Sequence, residues 1–168
     1  MKRLIMTLFV LVFAVGMGFA QSNETSVSQL SDNNEATVAQ EGMDNKATVS
    51  QSAGNKNKAE VNQYNDPAKT GVIESTVEQV GSKNHAIVNA SRKNNASSTT
   101  MQKQVGDNNE AFINQFSSLG SNLGSALTQD QQGDNNYADM KGSDNYSAEQ
   151  KQIGNNNDAR TSAGSLSK

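Results

Sequence analysis

The chain contains no cysteine and no tryptophan, only one proline and one histidine, and only 5% of its residues are aromatic. Without cysteine a disulfide framework is excluded, and with a single histidine the usual zinc and thiol chemistries are absent. The net charge of -3 is too small to indicate nucleic acid or an anionic membrane as a partner. Because only 33% of the residues are hydrophobic, an ordinary globular core is also excluded, and stability must have another source.

The one long apolar run lies at the start of the chain. Lys2 and Arg3 precede the apolar stretch 4–19, and the small residues Gly18 and Ala20 are suitably placed for cleavage before Gln21. The alternative, a membrane anchor, is disfavoured because the run is short and has no basic residue after it. Residues 1–20 are therefore predicted to be a secretory signal peptide, and residues 21–168 a secreted mature domain with no membrane span.

A repeat fills the rest of the chain. "NEATVAQ" at 34–40 is followed by "NKATVSQ" at 45–51, and similar segments recur up to the C-terminus. Grouped in pairs, the repeat marker residues are 11 or 12 positions apart within a pair, and every larger insertion falls between pairs. The markers of the six pairs are Thr25/Ala36, Ala47/Ala59, Ser75/Ala86, Thr100/Ala111, Leu127/Ala138 and Ala148/Ala159. The repeating unit is thus a pair of about 22 residues, with units starting near 25, 47, 75, 100, 127 and 148.

Two polar positions are constant across all six units. The first half of each unit ends in a glutamine: Gln29, Gln51, Gln79, Gln104, Gln131 and Gln152. The second half begins with an asparagine two residues before the marker alanine: Asn34, Asn57, Asn84, Asn109, Asn136 and Asn157. Between the two lie Gly- and Asn-containing stretches such as "GDNN", which favour tight turns. Each unit is therefore predicted to consist of a strand, a tight turn, a second strand and a loop of variable length.

An 11-residue repeat is also typical of a right-handed coiled coil, so a helical alternative has to be weighed. Helices would need apolar residues three and four apart, whereas Ala36 and Val38 are two apart, and a glycine recurs in most of the tight turns. A spacing of two places Asn34, Ala36, Val38 and Gln40 on one face of a strand. The strand interpretation is therefore preferred.

Stacking of successive units gives these short strands a shared interior. The predicted inward small and aliphatic residues are Ala36, Ala59, Ala86, Ala111, Ala138, Ala159, Val27, Val38, Val49, Val61, Val77, Val88 and Ile113. Gln102, Gln129 and Gln150 take the inward place of valine in the last three first strands. Buried amides are costly unless they are hydrogen bonded, and identical amides stacked about 4.8 Å apart can bond to the copies above and below. The sequence predicts an all-β, amyloid-like β-solenoid of six stacked units.

The motif Gln-x-Gly-x-x-Asn-x-Ala carries a family resemblance. It occurs as "QVGSKNHA" at 79–86, "QVGDNNEA" at 104–111, "QQGDNNYA" at 131–138 and "QIGNNNDA" at 152–159, and it resembles the curlin repeat of curli amyloid subunits. The resemblance implies a secreted subunit that polymerises with itself into extracellular amyloid fibres on the bacterial surface, with roles in adhesion and biofilm. It also implies a related curlin subunit and a dedicated export apparatus as partners. Major subunit and nucleator remain open alternatives.

Other functions receive less support from the sequence. No catalytic residue, metal ligand or cofactor site is predicted, and His85 is interpreted as a solvated turn residue. A calcium-binding solenoid is considered because of the "GDNN" turns, but its Gly-Gly-x-Gly-x-Asp pattern is missing. A monomeric adhesin or surface-coat protein is the main alternative, with Ile87, Phe112 and Phe116 as exposed apolar residues. The inserts 65–72 and 116–124, and the pair Arg92 and Lys93, are interpreted as loops.

Overall fold

Strands make up all the regular secondary structure of the described residues. The computed structural model describes residues 9–13, 22–117, 124–143 and 146–162. The strands are β1 (Phe9–Phe13), β2 (Glu24–Gln29), β3 (Glu35–Gly42), β4 (Asn45–Ser52), β5 (Lys58–Asn65), β6 (Ile73–Val80), β7 (His85–Arg92), β8 (Ser98–Val105), β9 (Glu110–Phe116), β10 (Ser125–Gln132), β11 (Tyr137–Gly142), β12 (Ser147–Ile153) and β13 (Asp158–Ser162). The described residues include no helix that is long and apolar enough to span a bilayer.

The strands form two parallel sheets in which sequence neighbours alternate. One sheet has the order β1-β3-β5-β7-β9-β11-β13, and the other has the order β12-β10-β8-β6-β4-β2. We number the units 1 to 6, from β2 with β3 (unit 1) to β12 with β13 (unit 6). Each strand pairs with its counterpart in the next unit, so the chain winds as a stack. The predicted all-β solenoid is confirmed.

The pairing register follows the sequence repeat. Val27 lies opposite Val49, which lies opposite Val77. In the other sheet the marker alanines of all six second strands lie opposite one another: Ala36, Ala59, Ala86, Ala111, Ala138 and Ala159. Differences in the length of the segments between units therefore leave the register unchanged.

The core is a thin column of small and aliphatic side chains between the two sheets. In the interior strands buried and partly exposed residues alternate, as expected when one face of each strand points inward. The buried residues include Ala36, Val38, Val49, Ala59, Val61, Val77, Ala86, Val88, Ala111, Ile113 and Ala138. Val27 in unit 1 and Ala159 in unit 6 are only partly buried, since no further unit covers them.

The structure corrects two expectations about the outer surface. Ile87 and Phe112 were predicted to be exposed, but both are half-buried within the outer face of the β7 and β9 strands. The Phe112 ring centroid lies 5.9 Å from that of His85 and 5.8 Å from that of Tyr137, so side chains of neighbouring units cover it. His85 is accordingly the first residue of β7 and half-buried, rather than a solvated turn residue. Phe116 is 58% exposed.

The tight turn inside each unit depends on left-handed backbone positions. Gly106 has φ +113°, and a Cβ atom there would lie 2.3 Å from the carbonyl oxygen of Gly133 in the next unit. The residue before each of the six constant asparagines also has positive φ: Asn33, Lys56, Lys83, Asn108, Asn135 and Asn156. Asparagine and glycine tolerate this region best, which accounts for the "GDNN" composition.

We expect Gly106→Ala to destabilise the monomer more than Gly154→Ala. Both glycines have φ above +100°, so each substitution incurs about 1–2 kcal/mol of backbone strain. At Gly154, in the last unit, a Cβ would meet only Asn157 Nδ2 at 3.7 Å, whereas at Gly106 it would collide with the next turn. Urea unfolding of the two variants measures the difference. Equal losses would show that stacking of the turns contributes nothing.

Candidate functional site: the amide columns

The six constant glutamines form one column inside the stack. These residues are at most 6% exposed. The Nε2 atom of each donates to the Oε1 atom of the next: Gln29 to Gln51 (2.7 Å), Gln51 to Gln79 (2.8 Å), Gln79 to Gln104 (2.8 Å), Gln104 to Gln131 (3.0 Å) and Gln131 to Gln152 (2.9 Å). All these bonds point in the same direction, so the column has a donor end and an acceptor end.

Each glutamine of units 2 to 6 also ties the two sheets together. Gln79 Nε2, for example, donates to the Lys58 carbonyl oxygen at 3.0 Å, and Gln104 Nε2 donates to the His85 carbonyl oxygen at 3.1 Å. The amide nitrogen therefore uses both of its hydrogens in units 2 to 5. A buried amide satisfied in this way stabilises the stack instead of opposing it.

The asparagine column is bonded differently from the amide-to-amide ladder that the sequence predicts. The side-chain Oδ1 of one asparagine accepts the backbone N–H of the next, at 3.0 Å, along the series Asn34, Asn57, Asn84, Asn109, Asn136 and Asn157. The Nδ2 atoms of Asn57, Asn84 and Asn109 donate to turn glycine carbonyl oxygens of the following unit. Only Asn157 donates from its side chain to another asparagine side chain of the column. The column thus fixes the turn backbone.

The structure contains two further amide columns, one formed by the three glutamines that the sequence analysis places inward and one on the outer face that it does not identify. Gln102 Nε2 donates to Gln129 Oε1 and Gln129 Nε2 to Gln150 Oε1, both at 3.0 Å, where units 1 to 3 carry valine. On the outer face, Asn62 Nδ2 donates to Asn89 Oδ1 and Asn89 Nδ2 to Asn114 Oδ1. The signal was present in the sequence, since in each column identical amides recur at one repeat position.

The acidic turn residues serve the backbone. Asp107 Oδ1 accepts the N–H of Ser82 at 2.7 Å, Asp134 Oδ1 accepts that of Asp107 at 2.8 Å, and Asn155 Oδ1 accepts that of Asp134 at 2.8 Å. Aspartate and asparagine are interchangeable in this role because both present an oxygen. Among the described residues no group of three or more His, Cys, Asp or Glu side chains could hold a metal ion. These turns therefore give no support to the calcium alternative.

Arg92 is a buried cation that was interpreted as part of a loop. It is the last residue of β7, it is fully buried, and its Nε, Nη1 and Nη2 atoms have no hydrogen-bond partner among the described residues. A Cβ atom on Gly71 would lie 1.8 Å from Nη1, so the loop after β5 covers the guanidinium group. Burial lowers the pKa of Arg92, an effect that the Asp44 carboxylate only partly offsets. Lys93, the next residue, is exposed.

These features define a parallel β-solenoid whose units are joined by columns of side-chain amides, a class of structural repeat protein. The family model described as Curlin associated repeat matches residues 20–52 and 32–64, which span unit 1 and nearly all of unit 2. The match supports the resemblance to the curlin-repeat family. Units 3 to 6, which lie outside the matched residues, continue the same columns in the same register. Neither a curated protein nor a solved structure matches the chain.

We expect Gln79→Leu to lower the free energy of unfolding by about 2–5 kcal/mol, because it leaves a buried donor on Gln51 and a buried acceptor on Gln104 unpaired. Gln132→Leu is the matched control. Gln132 lies half-buried on the outer face and donates only to Asp130, so we expect a change within about 0.5 kcal/mol. Urea unfolding of both variants measures the effects, and a Gln79→Leu chain as stable as the control would contradict the structural role of the column.

We expect Arg92→Met to raise the free energy of unfolding by about 1–4 kcal/mol, since an apolar side chain of similar length replaces a buried charge without partners. Urea unfolding checks this as well. A loss of stability on the same scale would show that the guanidinium group has favourable partners in solution.

Proposed function

We propose that this chain is a secreted structural subunit that polymerises end to end into extracellular amyloid fibres of the bacterial surface and biofilm matrix, where it contributes to adhesion. The curlin-repeat family suggests a curli subunit, and the solenoid architecture suits a non-enzymatic structural role. The observation that carries the proposal is the complementarity of the two ends of the stack. Residues 1–20 act in the proposal as the signal peptide, and a dedicated apparatus exports the mature chain.

The glutamine column ends in an acceptor on one side and a donor on the other. Gln29 Oε1 in unit 1 is buried and has no partner among the described residues. Gln152 Nε2 in unit 6 donates only to the Tyr137 carbonyl oxygen, whereas its counterparts in units 2 to 5 donate twice. A second copy placed in register would let Gln152 donate to Gln29 and would continue the column without a break.

The turn columns would continue across the same junction. With Asn34 of one copy following Asn157 of another, the Asn34 backbone N–H meets the Asn157 Oδ1, as in every step within the chain. Asp32 occupies the turn position of Ser82, Asp107 and Asp134, so its carboxylate would accept the Asn155 N–H. Both contacts repeat geometry that the stack already contains.

Apolar surface is also exposed at matching places on the two ends. Leu30 is 72% exposed and follows the column glutamine of unit 1, while Ile153 is 68% exposed and follows that of unit 6. In the interior, Val80 and Val105 lie opposite each other at this position. An in-register junction would bring Leu30 against Ile153 and cover both in part, as Val80 and Val105 are half-buried in the interior.

The edge of β3 accepts a parallel strand even within one chain. β1 pairs with it in register, Phe9 opposite Glu35 and Phe13 opposite Ala39. Removal of residues 1–20 would open this edge, and the buried core, which extends from Ala36 to Met140, would be retained in the mature chain. Head-to-tail addition of this kind does not close on itself, so it produces fibres rather than rings.

Seeded assembly tests the proposal. Residues 21–168 are purified in denaturant, diluted into neutral buffer, and followed by thioflavin fluorescence with and without preformed fibres. We expect seeds to abolish the lag, and fibre diffraction to show a meridional reflection near about 4.8 Å. A soluble β-rich monomer that ignores seeds would overturn the proposal and favour the monomeric adhesin or surface-coat protein.

We expect Leu30→Asp and Ile153→Asp each to slow elongation of wild-type seeds by about threefold to tenfold, because each replaces an apolar contact at the junction with a partly buried carboxylate. Met101→Asp is the matched control: Met101 is 38% exposed but lies in unit 4, away from both ends. Thioflavin elongation rates check this, with circular dichroism to show that the monomers fold alike. Equal slowing by all three variants would contradict an end-to-end junction.

A further inference from the structure

One outer column of the stack shows a regular charge arrangement. It consists of the residues that directly follow the column asparagines: Glu35, Lys58, His85, Glu110, Tyr137 and Asp158. Within the chain no two acidic residues are neighbours in this column. Glu35 pairs with Lys58 at 3.7 Å, and Glu110 lies 3.7 Å from His85 Nδ1. Opposite charges across neighbouring strands stabilise a sheet and like charges destabilise it.

A junction between two copies of this chain would break the arrangement. The register set by the asparagine column brings Asp158 of one copy directly opposite Glu35 of the next. Arg160 bonds the Asp158 carboxylate at 3.2 Å and so offsets part of its charge, but its guanidinium group lies 5.2 Å over the Tyr137 ring, on the side of its own stack, and places no cation opposite Glu35. The junction is therefore complementary in its amides and mismatched in this one pair of charges.

The whole of unit 1 is acidic. It contains Glu24, Asp32, Glu35 and Glu41 and no lysine or arginine. Inside the chain its neighbour is unit 2, which places Lys46 opposite Glu24 and Lys58 opposite Glu35. Unit 6 offers serine and aspartate at those two positions, Ser147 and Asp158. The acidic residues on the free side of unit 1 are therefore complementary in charge to a basic unit such as unit 2, and not to unit 6.

We propose that the free edge of unit 1 is a recognition surface for a unit of another chain that carries lysine or arginine opposite Glu35. The partner is a strand-turn-strand unit with the same glutamine and asparagine columns, and it binds this edge in preference to a second copy of this chain. The inference rests on the proposed end-to-end assembly, and it adds a charge rule to the choice of partner. Addition of the chain to itself then proceeds more slowly than its amide columns allow.

Charge reversal at the exposed position 158 tests the rule, since it gives unit 6 the cation that unit 1 is proposed to select. We expect Asp158→Lys to elongate wild-type seeds of residues 21–168 about threefold to tenfold faster than wild-type monomer, and Asp158→Asn to give a smaller gain. Raising the salt concentration should narrow both differences, because the contact is exposed and therefore screened.

Two controls separate the charge rule from a general effect of net charge. Glu60→Lys makes the same change of charge on the outer face of unit 2, which unit 1 separates from the junction, and should leave the elongation rate unchanged. The double variant Glu35→Gln with Asp158→Lys removes the partner of the new lysine, so we expect the gain to fall to about that of Asp158→Asn when double-variant seeds are elongated with double-variant monomer.

The outcomes distinguish the inference from the proposed function. If wild-type seeds recruit no monomer at all, end-to-end assembly is wrong and the charge rule falls with it. If seeding is normal but Asp158→Lys elongates no faster than wild type, or the double variant keeps the full gain of Asp158→Lys, the charge rule is overturned while end-to-end assembly stands.

Discussion

The hydrogen bond from one side-chain amide to the identical amide one unit further along is the interaction on which the rest of the structure depends. A glutamine buried inside a protein normally destabilises the folded state, because each of its polar atoms that lacks a hydrogen-bond partner costs free energy. Here the column spaces the amides so that each is donor to one neighbour and acceptor to the other. This bond requires exact register, and every other feature follows the register: the alanine and valine core, the stacked turns and the asparagine column.

The same constraint explains why the composition is so unlike that of a globular protein. Each unit has only two short strands, and its interior is one residue thick, so large side chains such as tryptophan have no space. Glycine is required where one turn approaches the next, as at Gly106 against Gly133. Loop length is free at the other corner, since segments of different length between units leave the register of the strands unchanged. The proposed polymerisation would use the same chemistry, because the glutamine column ends in an unpaired acceptor at Gln29 and a free donor hydrogen at Gln152.

The period-two pattern and the constancy of Gln and Asn were sufficient to predict the two-sheet solenoid and its register, because these follow from local repetition. Gln102, Gln129 and Gln150 were placed inward but not identified as a separate hydrogen-bonded column, because the pairing of a buried amide depends on the side chains above and below it. Arg92 was misassigned for a related reason. Whether a residue at the end of a strand is buried depends on how the next loop folds over it, here through Gly71, and one unit's sequence does not encode this.

Electron cryomicroscopy of fibres grown from residues 21–168 tests the central claim most directly. If each chain is a solenoid of six units and copies add end to end in register, the map will show one subunit for every six strand spacings, about 29 Å along the axis. Unit 1 of each copy will follow unit 6 of the previous copy, with the glutamine column continuous across the junction. A fibre of flat chains stacked with one subunit per strand spacing, about 4.8 Å, would contradict the account.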